Sequence, residues 1–579
     1  MNKQAESNTR EKKSYCLYKC WKTDFIAIIA MAIAMQGCKS NQEKATPFIS
    51  EISTKVEPMQ SGKFKPTWES LRQYQTPEWY RDAKFGIWAH WGPQCAPEHG
   101  DWYARYMYMT KLPDWAKGFD EFHRQTYGHP SKFGFKDVIN TWKAENWDPE
   151  KLMSLYKRAG AQYFVALANH HDNFDNYNSK YQPWNSVNIG PKKDLIAGWA
   201  KAAHKNGLRF GVSVHAAHAW IWYEPAQGAD TNGEFAGVPY DGNLTRADGK
   251  GLWWEGFDPQ DLYAQHHPRS ANPDDPLAIN RQWDWGNGAS VPDAAYCNKF
   301  YNRTVDLINK YHPDLIYFDD TVLPLYPISD IGLKIAAHFY NSNMRRHFGK
   351  LDAVMNGKIL NPEQRKCMVW DIERGQSDKI EPLPWQTCTC IGGWHYDKRI
   401  FENHRYNNAK NVIQTLVDIV SKNGNMLLSI PVRSDGTIDS DEVKILENIA
   451  SWMDVNKESI FGTRPWKVFG EGPASETSAP LNAHGFNEGK SKPFSAEDVR
   501  FTMKGKTLYA IVLGRPTKEL HIKSLGTAAK LLDAPIANIQ LLGSDEKIQW
   551  SQEEQFLAIK VAKNKPCDYA VVFKITTSE

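Results

Sequence analysis

The feature that most restricts the fold of this chain is a repeating unit: a short apolar run of strand type, ending in polar or charged residues, then a helical pattern. Such runs occupy residues 84–90 (KFGIWAH), 163–170 (YFVALANH), 209–215 (RFGVSVH), 315–319 (LIYFD), 368–373 (MVWDIE) and 425–430 (NMLLSI). Strand, polar terminus and helix in alternation is what an α/β barrel of the (β/α)8 type requires. Its interior is filled by apolar side chains, and its reactive groups project from the C-terminal strand ends. An open, doubly wound sheet would need an early phosphate-binding glycine turn. No GxGxxG occurs.

Helices are expected at 147–159, with Asp148 as N-cap and Pro149 in the first turn, and at 194–206, 293–311, 408–422 and 441–456. The stretch 221–292 breaks the rhythm. It is rich in Gly, Asp, Asn and Pro and carries Trp222, Trp253, Trp254, Trp283 and Trp285. So long an insertion is usually functional. Its tryptophans either stack on sugar rings above the barrel mouth or pack a small core of the insertion. After residue 465 the pattern turns to alternating strands, among them 507–513 and 568–573, which predicts a C-terminal antiparallel β-sandwich over 465–579. The barrel then spans 65–464.

Charge is informative at the front of the chain. Residues 1–37 hold six Lys/Arg and three Asp/Glu, which accounts for the whole formal excess of +3. The remainder is balanced and has no basic stripe for a phosphate backbone, so nucleic acid is not an expected partner. The apolar stretch 25–35 follows Lys19 and Lys22 and is too short to span a bilayer, so 1–37 reads as a signal peptide. Gly37-Cys38 resembles a bacterial lipobox, with Cys38 lipidated and 38–64 a flexible tether. The expected location is a periplasmic or outer-membrane lipoprotein, touching membrane only through that anchor. Six cysteines remain: Cys95, Cys297, Cys367, Cys388, Cys390 and Cys567. An exported chain permits disulfides among them, but the spacing fixes no pairing. Cys388 and Cys390 form no CxxC motif and are assigned to packing.

Two blocks concentrate residue types that hold sugars: His90-Trp91-Gly92-Pro93 leading to Asp101-Trp102-Tyr103-Ala104-Arg105, and Asn169-His170-His171-Asp172-Asn173-Phe174. Imidazoles and carboxylates at strand ends bond hydroxyls directionally, and neighbouring aromatic rings cover the C–H faces. Metal binding is the rival reading. Adjacent strand residues point to opposite sides, so His170 and His171 converge on one centre only if the backbone turns there. No metal is expected.

These blocks, KFGIWAHWGP at 84–93, DWYARYMY at 101–108, the run 169–195, PDLIYFDD at 313–320 and SKNGNMLLSIPVRSDGTI at 421–438, together resemble glycoside hydrolase family 29, the α-L-fucosidases. The likeness covers roughly 65–470 in the family's order. It implies a cofactor-free, retaining exo-glycosidase acting on a fucosylated oligosaccharide or glycoconjugate. The nucleophile falls on Asp319, beside Tyr317. Strand alternation sends the neighbouring Asp320 to the other face. The acid/base falls on Glu373, with Asp371 and Glu381 in reserve. Sugar-binding positions carry over to His90, Trp102, His170, His171 and the aromatic Trp394. Asp101 stands where the family usually has Glu, and Lys358 replaces an arginine that supports the site. The shorter acid and the loss of a bidentate fork bear on which sugar is taken. Two alternatives stay open: an α-L-galactosidase or related glycosidase on the same scaffold, and a glycan-binding lipoprotein without catalysis.

Overall fold

The computed structural model describes residues 56–264, 267–276, 285–286, 288–476, 481, 486–564 and 566–578. The expected signal segment, the Cys38 lipid site, most of the tether and Trp283 lie outside the described residues. The end of the tether does not match the expectation. Residues 56–64 pack onto the folded body: Asn302 accepts from the Glu57 amide at 2.8 Å, and Asn341 accepts from the amide of the buried Phe64 at 2.9 Å. Phe64 supplies the apolar anchor that the polar composition around it concealed.

Eight strands, β1 (Phe85–Ala89), β2 (Tyr163–Asn169), β3 (Arg209–Val214), β4 (Leu315–Phe318), β5 (Val354–Gly357), β6 (Val369–Glu373), β7 (Trp385–Cys390) and β8 (Gly424–Ser429), pair parallel in chain order. β8 closes on β1, with Phe85 opposite Met426 and Trp88 opposite Ser429. Most strand positions are buried on both faces, the signature of a parallel sheet wrapped by helices. The wrapping helices are α1 (Pro149–Arg158), α2 (Leu195–Lys205), α3 (Ala294–Tyr311), α4 (Ile331–Arg346), α5 (Ala409–Ser421) and α6 (Ser440–Asn456). Side-chain caps start four of those expected: Asp148, Asp194, Asp293 and Asn408 each accept from the amide three residues on. The barrel departs from full regularity after β5, where only the short 3-10 turn Gln364–Lys366 intervenes, and after β6, where no helix occurs.

Beyond the barrel, β9 (Arg464–Glu471), β10 (Val499–Lys504), β11 (Thr507–Val512), β12 (Leu520–Ile522), β13 (Ile536–Leu541), β14 (Trp550–Gln552), β15 (Leu557–Ile559) and β16 (Val571–Thr577) form two antiparallel sheets. One has five strands in the order β13-β16-β11-β10-β9, the other three in the order β12-β15-β14. Alternation along β11 shows how the sandwich is mounted. Leu508, Ala510 and Val512 join the core between the two sheets, whereas Tyr509 and Ile511 join the large core of the barrel. Across this contact Asp418 on α5 accepts from Arg500 Nε at 2.6 Å, and on its own side it accepts from Lys422 Nζ at 2.7 Å. All six described cysteines are unbridged.

The insertion carries short helical turns, and its tryptophans pack. Trp222, Trp254 and Trp285 are buried, and the half-exposed Trp253 donates to Asp137 Oδ1 at 2.8 Å. None of these four lines the large cavity at the barrel mouth. Of the two readings left open for them, packing is the one observed.

Candidate active site

A cavity of about 840 Å³ opens at the C-terminal ends of the barrel strands. His90 follows β1, His170 and His171 follow β2, His215 follows β3, Asp319 follows β4, Lys358 follows β5, Glu373 ends β6, and Trp394 and His395 lie on the loop after β7. Asp101, Trp102 and Tyr317 line the same cavity. All ten site residues singled out in the sequence line this one cavity, and His215 and His395 join them.

At its centre, Lys358 Nζ donates to both Asp319 and Glu373. Burial alone would raise the Asp319 carboxyl, but the Lys358 ammonium and the His215 and His171 rings outweigh it and hold Asp319 well below the ordinary carboxylate range. For Glu373 the balance reverses. Burial lifts it above the usual glutamate value, with Lys358 opposing and the Asp319 charge adding to the rise. Two carboxyl groups around one ammonium are thus pushed apart, one ionised and one inclined to keep its proton. Asp320 faces elsewhere: its Oδ1 lies 3.1 Å from His218 Nε2, and its side chain is 4% exposed against 16% for Asp319.

The reserve carboxyls lie outside the cavity lining. Asp371 is buried beneath it, accepting from Gln386 Nε2 at 2.8 Å, Cys388 Sγ at 3.1 Å and the Tyr317 hydroxyl at 3.2 Å, and burial pushes it up to about 6. Cys388 therefore does more than pack, because its thiol caps a buried carboxyl. Glu381 accepts from Ser377 Oγ at 2.7 Å and pairs with Arg365. Trp370, on the same strand as Glu373, turns its ring outward under the Arg365 guanidinium at 3.3 Å.

The histidines form a wall. β2 ends at Asn169 and the chain turns, with Asn173 in the left-handed region at φ 63°, so His170 and His171 both reach the cavity. This loop is pinned from below by a bidentate pair, Arg303 on α3 donating to Asp175 at 2.6 and 3.1 Å, with both side chains buried. Leaving Asp175 without its cation is expected to be costly. Arg303→Met should lower unfolding free energy by about 3–5 kcal/mol in denaturant titration, and a change under 1 kcal/mol would show that the pair does not hold the loop.

Gln94 Nε2 contacts His170 Nδ1 at 2.6 Å, which leaves the proton of a neutral ring on Nε2. His215 Nδ1 meets Asp319 Oδ2 at 3.0 Å, and burial pushes this ring down to about 4, so at neutral pH it donates as an uncharged imidazole. Both ring nitrogens of His90 and Nε2 of His215 and His395 lack a protein partner among the described residues. By spacing, His90, His170 and His215, or His171, His215 and Asp319, could hold a metal ion, each set having donor atoms within 4.8 Å. The same nitrogens suit sugar hydroxyls, since a neutral imidazole offers one donor and one acceptor.

Asp101 lines the cavity with its side chain 23% exposed, and it also accepts from the amides of Trp394 at 3.1 Å and His395 at 2.5 Å and from His395 Nδ1 at 3.2 Å. It positions the loop that carries two cavity-lining rings. Three left-handed residues mark the rim: Trp102 at φ 61°, Ile359 at φ 50° directly after Lys358, and Arg374 at φ 44° directly after Glu373. A β-branched residue there is strained, and such strain clusters where function fixes a side chain. Sequence reasoning missed Trp88, His215, His395 and Phe486 as lining residues. His215 stood at a strand end as plainly as His90 did; Phe486 comes from the segment beyond β9 and carried no signal.

The sequence model of the family described as Alpha-L-fucosidase matches residues 51–458, and that of the Alpha-L-fucosidase C-terminal domain matches 492–576. The chain is 25% identical over 511 residues to the tissue alpha-L-fucosidase of Bos taurus, covering 84% of this chain and 85% of that protein. It is 26% identical over 502 residues to the plasma alpha-L-fucosidase of Homo sapiens, covering 85% and 87%. Among solved structures, the Thermotoga maritima alpha-fucosidase superposes with a TM-score of 0.60 at 23% identity, over 89% of this chain and all of that one. Isoenzyme 1 from Paenibacillus thiaminolyticus gives 0.56 at 19%, over 88% and all of that chain.

Proposed function

Because the chain belongs to the α-L-fucosidase family of glycoside hydrolases, we propose that it releases terminal α-L-fucose from glycans with retention of configuration, Asp319 acting as nucleophile and Glu373 as acid/base. The observation that carries the mechanism is the shared ammonium of Lys358. One donor touching both carboxyls limits their nearest oxygens to two hydrogen-bond lengths, about 6 Å at most. Retaining enzymes hold their carboxyls about 5–5.5 Å apart, whereas inverting ones need about 6.5–9.5 Å to admit a water.

In the first step an Asp319 oxygen forms a bond to the anomeric carbon as the bond to the glycosidic oxygen breaks and Glu373 gives that oxygen its proton. In the second, Glu373 takes a proton from water, whose oxygen replaces Asp319 at the same carbon. Lys358 and His215 keep the Asp319 charge available without spending it on a proton. His90, His170, His171, His215 and His395 hold ring hydroxyls, while Trp88, Trp102 and Trp394 supply apolar faces.

The test is hydrolysis of an aryl α-L-fucoside followed by proton NMR. α-L-Fucose should appear first and mutarotate later, at a rate unchanged by a metal chelator. First appearance of the β anomer would overturn retention, and absence of turnover would overturn the activity.

A further inference from the structure

A second cavity, of about 850 Å³, lies in the cleft between the barrel and the C-terminal sandwich. Its lining has six cations, Arg374, Arg405, Lys410, Lys422, Lys492 and Arg500, against two carboxylates, Asp418 and Glu488. Beyond residue 37 the chain as a whole is balanced, so this excess is local. The two carboxylates are already engaged. Asp418 serves both Lys422 and Arg500, all three buried, and Glu488 pairs with Arg374 at 2.9 Å while accepting from Thr389 at 2.8 Å. Lys410 and Lys492 have no ion-pair partner among the described residues, and Arg405 reaches only the Arg399 carbonyl. Two buried cations sharing one carboxylate, rimmed by three cations with none, make a place where an anion regains the charge balance the protein withholds.

The cleft is also correctly placed. Phe486, 42% exposed, lines both this cavity and the one at the barrel mouth, and its amide donates to the Glu373 carbonyl at 2.9 Å. Arg374, the next residue after Glu373, lines the cleft. The acid protonates the glycosidic oxygen, so the sugars that leave must begin at Glu373, and Phe486, which lines both cavities, stands between that point and the cationic cleft. An exposed aromatic ring at that junction suits stacking on the first of those sugars.

Resting on the proposed function above, we propose that this cleft binds the part of the substrate to which fucose is attached and recognises an anionic substituent on it, a sulfate ester or a carboxylate. The probes are a neutral fucosylated trisaccharide, the same trisaccharide with one sulfate ester on the aglycone, a counterpart with a uronic acid there, and an aryl α-L-fucoside too small to enter the cleft. At low salt the full-length enzyme should cleave an anionic trisaccharide with kcat/KM about tenfold above the neutral one, and added salt should erode the difference. Whichever anionic arm shows the preference identifies the substituent. The triple substitution Arg405→Ala, Lys410→Ala, Lys492→Ala should abolish the preference and leave the aryl fucoside rate unchanged. Equal kcat/KM for all three trisaccharides, or a preference that survives the triple substitution, would overturn the proposal. If the aryl fucoside itself is not cleaved, the hydrolase reading fails instead. Calorimetry with a fucose-free sulfated disaccharide then judges the cleft alone: binding lost in the triple variant supports it, and no binding to the unaltered protein overturns it.

Discussion

Asp319→Gly should fold normally and lose about four orders of magnitude or more in kcat on an aryl α-L-fucoside. The size of the loss follows from removing the atom that forms the covalent bond, since no neighbour can replace it. Asp320 is turned toward His218 and is absent from the cavity lining. Folding should survive because Lys358 keeps Glu373 as a partner, so no buried ammonium is orphaned. Azide, if it fits the space vacated, attacks the face that Asp319 occupied and should give the inverted β-fucosyl azide. A thermal unfolding midpoint near that of the parent, with activity gone, separates loss of chemistry from loss of structure. Near-normal activity in Asp319→Gly together with a dead Asp320→Ala would reverse the assignment.

Glu373→Ala should be nearly as damaging on a natural glycan, whose leaving oxygen needs a proton, and much less so in the first step on an activated aryl fucoside. The second step then lacks its base and the glycosyl-enzyme accumulates. Azide requires no base and should restore turnover, giving the α-fucosyl azide with the substrate's configuration. The pH profile supplies an independent reading. Glu373 must be protonated in the first step and its value is raised by burial, so kcat/KM should fall only as pH rises through that raised value, above the usual glutamate range. Asp319 must be ionised and is held well below its usual value, so the acid limb should lie below the ordinary aspartate range. In Glu373→Ala with an activated substrate the alkaline limb should vanish. Azide rescue in Asp371→Ala or Glu381→Ala, with Glu373→Ala behaving like the parent, would move the role to that residue.

What the sequence made legible follows local rules. Asp148, Asp194, Asp293 and Asn408 marked helix starts because an N-cap side chain has to sit beside the amides it accepts from. Six of the eight barrel strands read as apolar runs with polar ends. The two that did not, β5 and β7, are short or polar inside: Gln386 and Thr387 on β7 are buried and satisfied by Tyr80, Tyr163, Asp371 and the Ile372 carbonyl, partners visible only once the barrel closes. The same limit hid the rest of the site. His395 was adjacent to Trp394 in the chain, but its use depends on Asp101, 294 positions away. Phe486 reaches the cavity because its segment pairs with the end of β6, an arrangement set by the mounting of the sandwich on the barrel and not by its neighbours in sequence. Resemblance pointed to Asp319 and Glu373; only geometry showed Lys358 joining them.

The most direct test of the central claim is to trap the covalent intermediate. A 2-deoxy-2-fluoro-L-fucosyl donor with a good leaving group destabilises the oxocarbenium-like transition states of both steps, and the leaving group restores the first, so the fucosyl-enzyme should persist. Digestion and tandem mass spectrometry of the inactivated protein should then find one fluorofucosyl group, esterified to Asp319. A label on Asp320 or Glu373, or inactivation without any covalent sugar in an enzyme that turns over aryl fucosides, would contradict the account.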